Sequence, residues 1–420
     1  MARGQHPKHL FSNTRVNKAQ EQLWNDLNDF TDEVFEENVE RFNEFSVFLL
    51  MPPCFDNDGR FVKGLLATHA TDFILSRWPW LKSLFHVTAY AMWSGYPRAT
   101  QADAFMVPYD NPARKAWYDR KYPEYAHLPV FPVDDTDLFN EAEMVSMPEV
   151  AKDIDVLQVA RLDQIKNLEM FARAAKIAGH VAGRPLKIHL HTGSVVDVNW
   201  SQQTEAQRVE LMKMQAVLGV TQRYLTISPG QVPSLAELYN RSRVVTMTAL
   251  CEGRNRAIHE AMSCGTPVVT FEAYNQFSRG DDVVFPAGGG YRAPQFTAQS
   301  LAETWVRTIK AAEEGWFNPR EAVLAASGRR AVTNTVLRGF ADYYRAALPG
   351  WSPEQPVEQN AWLQENMQAV YKTDLENWWF SRQAFLGKPR FHVKGLQDIA
   401  GVAEIYAKLV LPGGERGVGE

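Results

Sequence analysis

Between residues 155 and 271 short apolar runs alternate with amphipathic segments, and no other feature of the chain restricts its fold as strongly. Runs at 155–160, 186–191, 224–227, 244–247 and 268–271 are rich in Val, Ile and Leu. The segments 167–178, 205–218 and 234–242 lie between them. In the first, Leu168, Phe171, Ala174, Ala175 and Ala178 share one helical face. Strands joined through helices pair in parallel, so the pattern predicts an α/β fold with a doubly wound sheet. Ligands of such sheets sit beyond the carboxyl ends of the strands.

The preceding part repeats the pattern more loosely. An acidic amphipathic helix is expected from Lys18 to about Phe45, followed by a buried strand at 46–51, short apolar segments at 61–67 and 85–91, and a further strand at 104–107. Pro129 to Phe139 passes from a strand into an acidic stretch. There Asp135-Thr136-Asp137 reads as a solvated linker rather than a metal-binding pair, and a domain boundary is expected between this point and Asp155. After residue 271, Gly288 to Gly290 marks a turn. Helices are expected at 298–313, 319–326 and 329–347, then a Pro-containing linker at 350–356 and a helical tail. A chain of 420 residues exceeds one typical domain. The divisions expected are 1–150, 151–349 and a helical extension, 350–420, packing back on the first domain.

The net charge of −5 gives no support to nucleic-acid binding by bulk electrostatics. It is unevenly spread: residues 1–150 hold roughly eight excess negative charges and the remainder about three excess positive, so anionic ligands should prefer the later part. Cys54, Cys251 and Cys264 form neither a metal-like spacing nor a disulfide framework, which fits a reducing compartment. No apolar run reaches the length of a membrane span and no signal-peptide core precedes the first domain, so a cytoplasmic protein is expected. Tryptophans gather at Trp78, Trp80, Trp93, Trp378 and Trp379, as core or domain-interface residues, or as contacts to a membrane or acceptor.

Two stretches carry candidate chemistry. From Glu252 to Val269 the chain reads as a loop, a short helix and a strand. Asn255 is a helix cap, Ala257, Ile258, Ala261 and Met262 an apolar face, Gly265 a left-handed stop, and Pro267 a residue that cannot continue the helix. Glu252 and Glu260 then flank a helix N-terminus, which attracts phosphate. Carboxylates beside an anion site are unfavourable unless they hold something next to the anion, and sugar hydroxyls fit. Alone, the same residues equally describe a surface loop and a core helix with two incidental glutamates. The second stretch, Ala160 to Asn167, offers Arg161 and Lys166 before a helix: alone they read as an exposed pair solvating a helix start, but beside the first stretch a bidentate guanidinium and a point charge would together neutralise a diphosphate.

With both stretches in hand, the sequence resembles the retaining glycosyltransferases of family four, which have the GT-B fold. The resemblance rests on Arg161-Leu162 with Lys166-Asn167, and on Glu252 and Glu260 spaced by seven residues. Ala261-Met262 and Gly265-Thr266-Pro267-Val268-Val269 follow them. Gly230-Gln231-Val232, Leu238-Tyr239, the Pro132 to Phe139 junction and the late segment Leu337 to Leu348 extend it over about half the chain.

The resemblance implies two Rossmann-like doubly wound domains facing across a cleft, the acceptor side in 1–150 and the nucleotide-sugar side in 151–349. It implies a metal-independent transfer, without cofactor, of a hexosyl or pentosyl group from a nucleoside-diphosphate sugar. Arg161, Lys166 and the backbone N–H groups of Arg256, Ala257 and Ile258 would hold the donor diphosphate. Glu260 would hold the ribose hydroxyls, and Glu252 the sugar. The catalytic histidine would be His69, with His86 as runner-up and Tyr90 as an alternative occupant of the position. The acceptor stays open among small molecule, lipid carrier, glycan and modified nucleic acid. The chain departs from the family in lacking glycines between Gly4 and Gly59 and in the basic Arg254-Asn255-Arg256. A catalytically silent nucleotide-sugar-binding protein on the same fold is the competing expectation; the lysine site of a phosphorylase and the acid–base set of an epimerase are not seen.

Overall fold

The computed structural model describes residues 44–51, 54–55, 61–68, 71–72, 75, 79, 81–90, 101–106, 119–120, 123, 126–131, 133, 137–139, 141–163, 166–192, 205–218, 225–229, 234–249, 255–272, 285–348, 350–354 and 378–381. They form two compact units. Of the described residues, Glu143 to Ala326 form one; the other is split in sequence, combining those from Glu44 to Ala142 with those from Ser327 onward.

In the split unit the chain runs through β1 (Glu44–Met51), β2 (Cys54–Phe55), β3 (Phe61–Val62) and β4 (Gly64–Thr68). The short helix α1 (Leu81–Leu84), β5 (Phe85–Tyr90), β6 (Ala104–Met106) and β7 (Val130–Phe131) follow. Strands β4 to β7 are parallel neighbours, and β1 lies antiparallel beside β4. Every residue of β4 is buried, as expected of a parallel strand covered on both faces. Glu44 and Phe45, expected at the end of the long helix, belong to β1 instead; the rest of that helix lies outside the described residues.

The 143–326 unit alternates strand and helix throughout. It comprises β8 (Ile154–Val159), α2 (Leu168–Ala182), β9 (Ile188–Thr192), α3 (Glu205–Leu218), β10 (Thr226–Pro229), α4 (Leu235–Asn240), β11 (Ser242–Thr246), α5 (Arg256–Ser263) and β12 (Val268–Phe271). Strand β13 (Gly290–Ala293), α6 (Ala298–Glu313) and α7 (Pro319–Leu324) complete it. The strand order is β10-β9-β8-β11-β12-β13, with every pairing parallel. Relative to the first strand this is the 3-2-1-4-5-6 order of a dinucleotide-binding sheet.

Helix α2 buries Leu168, Phe171, Ala172, Ala174, Ala175 and Ala178, and Gly183, at φ 66°, stops it. Trp305 of α6 is fully buried; it meets Phe171 edge-on at 5.6 Å and donates its indole N–H to the Thr246 hydroxyl at 2.9 Å. The indole thereby fills the core without leaving a buried donor unpaired. The Gly288–Gly290 turn is sterically required at its last position: a Cβ on Gly290 would lie 1.9 Å from the Val268 carbonyl oxygen.

The chain then returns to the split unit through α8 (Arg329–Gly339) and α9 (Ala341–Ala347), and Trp378–Ser381 forms β14, antiparallel to β1. Segment 327–349 was expected with the preceding domain, but its apolar residues pack elsewhere. Val332, Val336, Leu337 and Tyr344 share one core with Leu50, Leu65, Met106 and Phe131. The single helix expected over 329–347 is broken at Phe340, whose ring stacks on His86 at 4.4 Å.

Of Asp135-Thr136-Asp137, expected as a solvated linker, Asp137 is described and is tied down, while Asp135 and Thr136 lie outside the described residues. Asp137 is 1% exposed and accepts from the Ser327 hydroxyl, and both Glu141 carboxylate oxygens cap α8, accepting from Arg329 N at 2.9 Å and Arg330 N at 3.0 Å. Helix N-termini present such donors to any nearby carboxylate. Strand β14 takes residues 378–381 out of the helical tail expected for the extension. Both sheets are Rossmann-like, the α/β class expected of a GT-B chain. Among the described residues no helix is long and apolar enough to cross a membrane.

Candidate active site at the sheet switch point

Strands β8 and β11 are hydrogen-bonded neighbours whose connections leave in opposite directions, β8 toward β9 and β11 toward β12. The crevice beyond their carboxyl ends is where such sheets bind ligands. The two stretches singled out in the sequence follow these two strands: Ala160 to Asn167 continues β8, and Met247 to Asn255 continues β11.

After β8, Arg161 is exposed, with its guanidinium 3.9 Å from Asp163. The Lys166 N–H donates to the Asp163 carbonyl at 3.0 Å, closing a turn. Asn167 then caps α2 in the left-handed conformation, φ 49° and ψ 49°. It is the one non-glycine residue with positive φ among the described residues. Asn tolerates that region better than most residues.

Helix α5 is built as its sequence suggests, apart from its cap. Asn255 has an extended backbone, φ −125°, but its side chain makes no capping hydrogen bond. Its carbonyl instead accepts from Ile258 N at 3.0 Å and His259 N at 3.2 Å. The Ile258 N–H, assigned to the diphosphate from the sequence, is therefore used inside the helix. The Arg256 and Ala257 N–H groups precede the first intrahelical bond. At the other end Gly265, at φ 80°, donates to Met262 O at 2.8 Å and Thr266 N to Ala261 O at 2.9 Å. That pair of bonds is a Schellman stop.

Glu260 lies on the second turn and is buried. Its Oε2 accepts from the hydroxyl of Tyr239, itself fully buried, at 2.9 Å. Burial and the neighbouring Glu260 charge push the Tyr239 phenol well above its ordinary range, so it remains a donor and orients the carboxylate. Burial, reinforced by Glu260, also pushes the Cys264 thiol up to about 12, which keeps it protonated and inert.

The back of α5 is anchored by Arg320 of α7, whose guanidinium donates to Met144 O at 2.7 Å and to the Ser263 carbonyl. Ser263 Oγ also donates to Met144 O, at 2.7 Å, and the Asn240 carboxamide accepts from Met147 N at 2.7 Å. These side chains hold the start of the unit against α4 and α5. Nothing in their local sequence signals the role.

Glu252 lies outside the described residues, between Ala249 and Asn255 in sequence. His69 also lies outside them, directly after Thr68, the last residue of β4. His86 is described and is ill placed for catalysis. It is the second residue of β5, at the end opposite the carboxyl edge, and it packs between Phe340 at 4.4 Å and Tyr343 at 4.6 Å. Burial, with the Lys63 charge, pushes its pKa down to about 4. Tyr90 does end β5, with 3% of its surface exposed.

Residues 153–310 match the family model of glycosyl transferases group 1. The match runs from the start of β8 into α6 and includes both switch-point loops. No curated protein sequence matches the chain. Several solved structures do. The pneumococcal O-GlcNAc transferase GtfA, in complex with UDP and GlcNAc, is 14% identical with a TM-score of 0.41, over 63% of this chain and 53% of that one. Sucrose-phosphate synthase from Thermosynechococcus elongatus is 21% identical with a TM-score of 0.41, over 65% and 72%. Anabaena HepE in complex with UDP is 15% identical with a TM-score of 0.43, over 64% and 76%. The chain thus spans about half the length of the pneumococcal transferase it matches.

Proposed function

We propose that the chain is a retaining glycosyltransferase that moves a sugar from a nucleoside-diphosphate sugar to a hydroxyl acceptor without a metal. One observation carries this reading. The family match falls on the doubly wound 143–326 unit, and both loops with candidate donor-binding residues leave its switch point. Sugar transfer expels a nucleoside diphosphate, whose developing charge must be met by groups already in place. Arg161 and Lys166 supply the cations, and the first-turn N–H groups of α5 the dipolar donors. Glu260, oriented by Tyr239, holds the ribose hydroxyls. Glu252 is assigned to the hydroxyls of the transferred sugar and His69 to assistance at the reacting centre.

The test is calorimetric titration with UDP, GDP and ADP, followed by donor turnover in EDTA. The expected result is binding of at least one nucleotide, weakened tenfold or more in Arg161→Ala and Lys166→Ala. Turnover should survive EDTA, and NMR of the product should show the donor's anomeric configuration. Glu252→Ala should lower kcat more than nucleotide affinity. Absence of nucleotide binding in the wild type overturns the proposal. Nucleotide binding without donor turnover in any acceptor pool favours a silent binding protein, the reading suggested by the departures in the first domain.

A further inference from the structure

At the end of β8 and just beyond β11 two buried polar side chains face each other. Gln158 and Thr248 are 1% and 0% exposed. The Gln158 amide Nε2 donates to Thr248 Oγ1 at 3.0 Å, and Thr248 Oγ1 donates to the Lys166 carbonyl at 2.9 Å. A hydroxyl has one proton, and the Lys166 carbonyl is a closer acceptor than Gln158 Oε1 at 3.2 Å. The consistent arrangement is a relay from the Gln158 amide through the Thr248 hydroxyl to the Lys166 carbonyl. It joins the two switch-point strands to the far end of the loop that begins at Arg161.

The relay acts on a defined backbone feature. The Lys166–Asn167 peptide leads into the left-handed Asn167, a conformation that persists only where its surroundings enforce it. In a trans peptide C=O and N–H point in opposite directions. Holding the Lys166 carbonyl against Thr248 therefore also fixes the direction of the Asn167 N–H at the start of α2. The Lys166 N–H is fixed at the other side by the Asp163 carbonyl, at 3.0 Å.

We infer that Gln158 and Thr248 are positioning residues that lock the Arg161–Lys166 loop through the Lys166 carbonyl, so that its cations and first-turn N–H groups are set before an anion arrives. The ligand named for that loop rests on the proposed function; the lock itself does not. Preorganised donors lose less freedom on binding, so the lock should appear in affinity as well as stability.

The test compares wild type with Thr248→Val, which keeps the shape and removes the hydroxyl, and Thr248→Ser, which restores it. Hydrogen exchange of the 163–168 amides without ligand reads the lock alone. Exchange should quicken at least tenfold in Thr248→Val and return to the wild-type rate in Thr248→Ser. Affinity for UDP, GDP and ADP reads its consequence: about tenfold weaker binding in Thr248→Val, with Thr248→Ser near wild type. Unchanged exchange in Thr248→Val overturns the inference, as does unchanged nucleotide affinity in a variant whose loop has loosened. Wild-type protein that binds no nucleotide overturns the proposed function instead, and the exchange data then decide the lock by themselves.

Discussion

At the scale of single residues, glycines and buried ionisable groups give the sharpest expectations. Gly288 and Gly290 both have positive φ, 86° and 152°, yet only one is crowded. A Cβ on Gly288 meets Ala322 at an ordinary 3.9 Å, whereas on Gly290 it would lie 1.9 Å from backbone. Gly288→Ala should therefore cost about 1 kcal/mol, the left-handed penalty alone. Gly290→Ala should cost about 3 kcal/mol or more, because β12 and β13 must separate; urea unfolding of the two variants checks the contrast. Cys264, buried and with its thiol pushed up to about 12, should resist iodoacetamide in the native protein and react on unfolding, as read by peptide mass mapping. The pairing of Glu260 with Tyr239 shows what sequence reading could reach. Both residues sit in the quoted motifs, but only folding reveals that one orients the other.

At the scale of elements, α8 is the instructive case. Its sequence reads as a helix and it is one, but its N-terminus is capped by Glu141, far away in the chain. Glu141→Ala should destabilise the split unit by about 1–2 kcal/mol, the range for losing a helix cap with a charge on the dipole. Glu141→Gln should recover part of that in the same unfolding experiment. Gly339 closes the helix where a Cβ would lie 2.0 Å from the Phe131 ring, so Gly339→Ala should push α8 off β7 and lower the unfolding midpoint. Helix α5 behaves differently. Its apolar face, Gly265 stop and following strand are all local, and its C-terminal end was legible without tertiary structure. Its side-chain cap was not, because Asn255 uses its carbonyl instead.

At the scale of the whole molecule, His86 links pH to the stability of the split unit. The imidazole lies against Phe340 and Tyr343, with Lys63, Lys82 and Asp103 as its charged neighbours, and its pKa is pushed down to about 4 from the ordinary 6.5. Below 6.5 the unfolded chain takes up a proton that the folded one refuses. Stability is therefore complete above 6.5 and is lost as pH falls from there to about 4. The loss should be on the order of 2–3 kcal/mol. Urea unfolding monitored at pH 7, 5.5 and 4.5 should show it, and His86→Phe should lack this component. A pH-independent difference between the two proteins across that range would contradict the assignment.

The amino-acid sequence by itself determined the alternation of strands and helices and the left-handed stop of α5. It also marked the two loops worth suspecting, because periodicity, glycine and proline act within a few residues. Those local signals placed helices at 205–218 and 298–313 with the bounds found in the structure. Only the tertiary structure decided that the two loops leave neighbouring strands, since strand order depends on pairings between distant segments. It alone decided that residues 327–348 pack against a sheet begun some 280 positions earlier, where Val332, Val336, Leu337 and Tyr344 share a core with Leu50 and Leu65. The same holds for Gln158 and Thr248. Each is an unremarked polar residue in sequence, and their relay exists because β8 and β11 are adjacent and both side chains are buried.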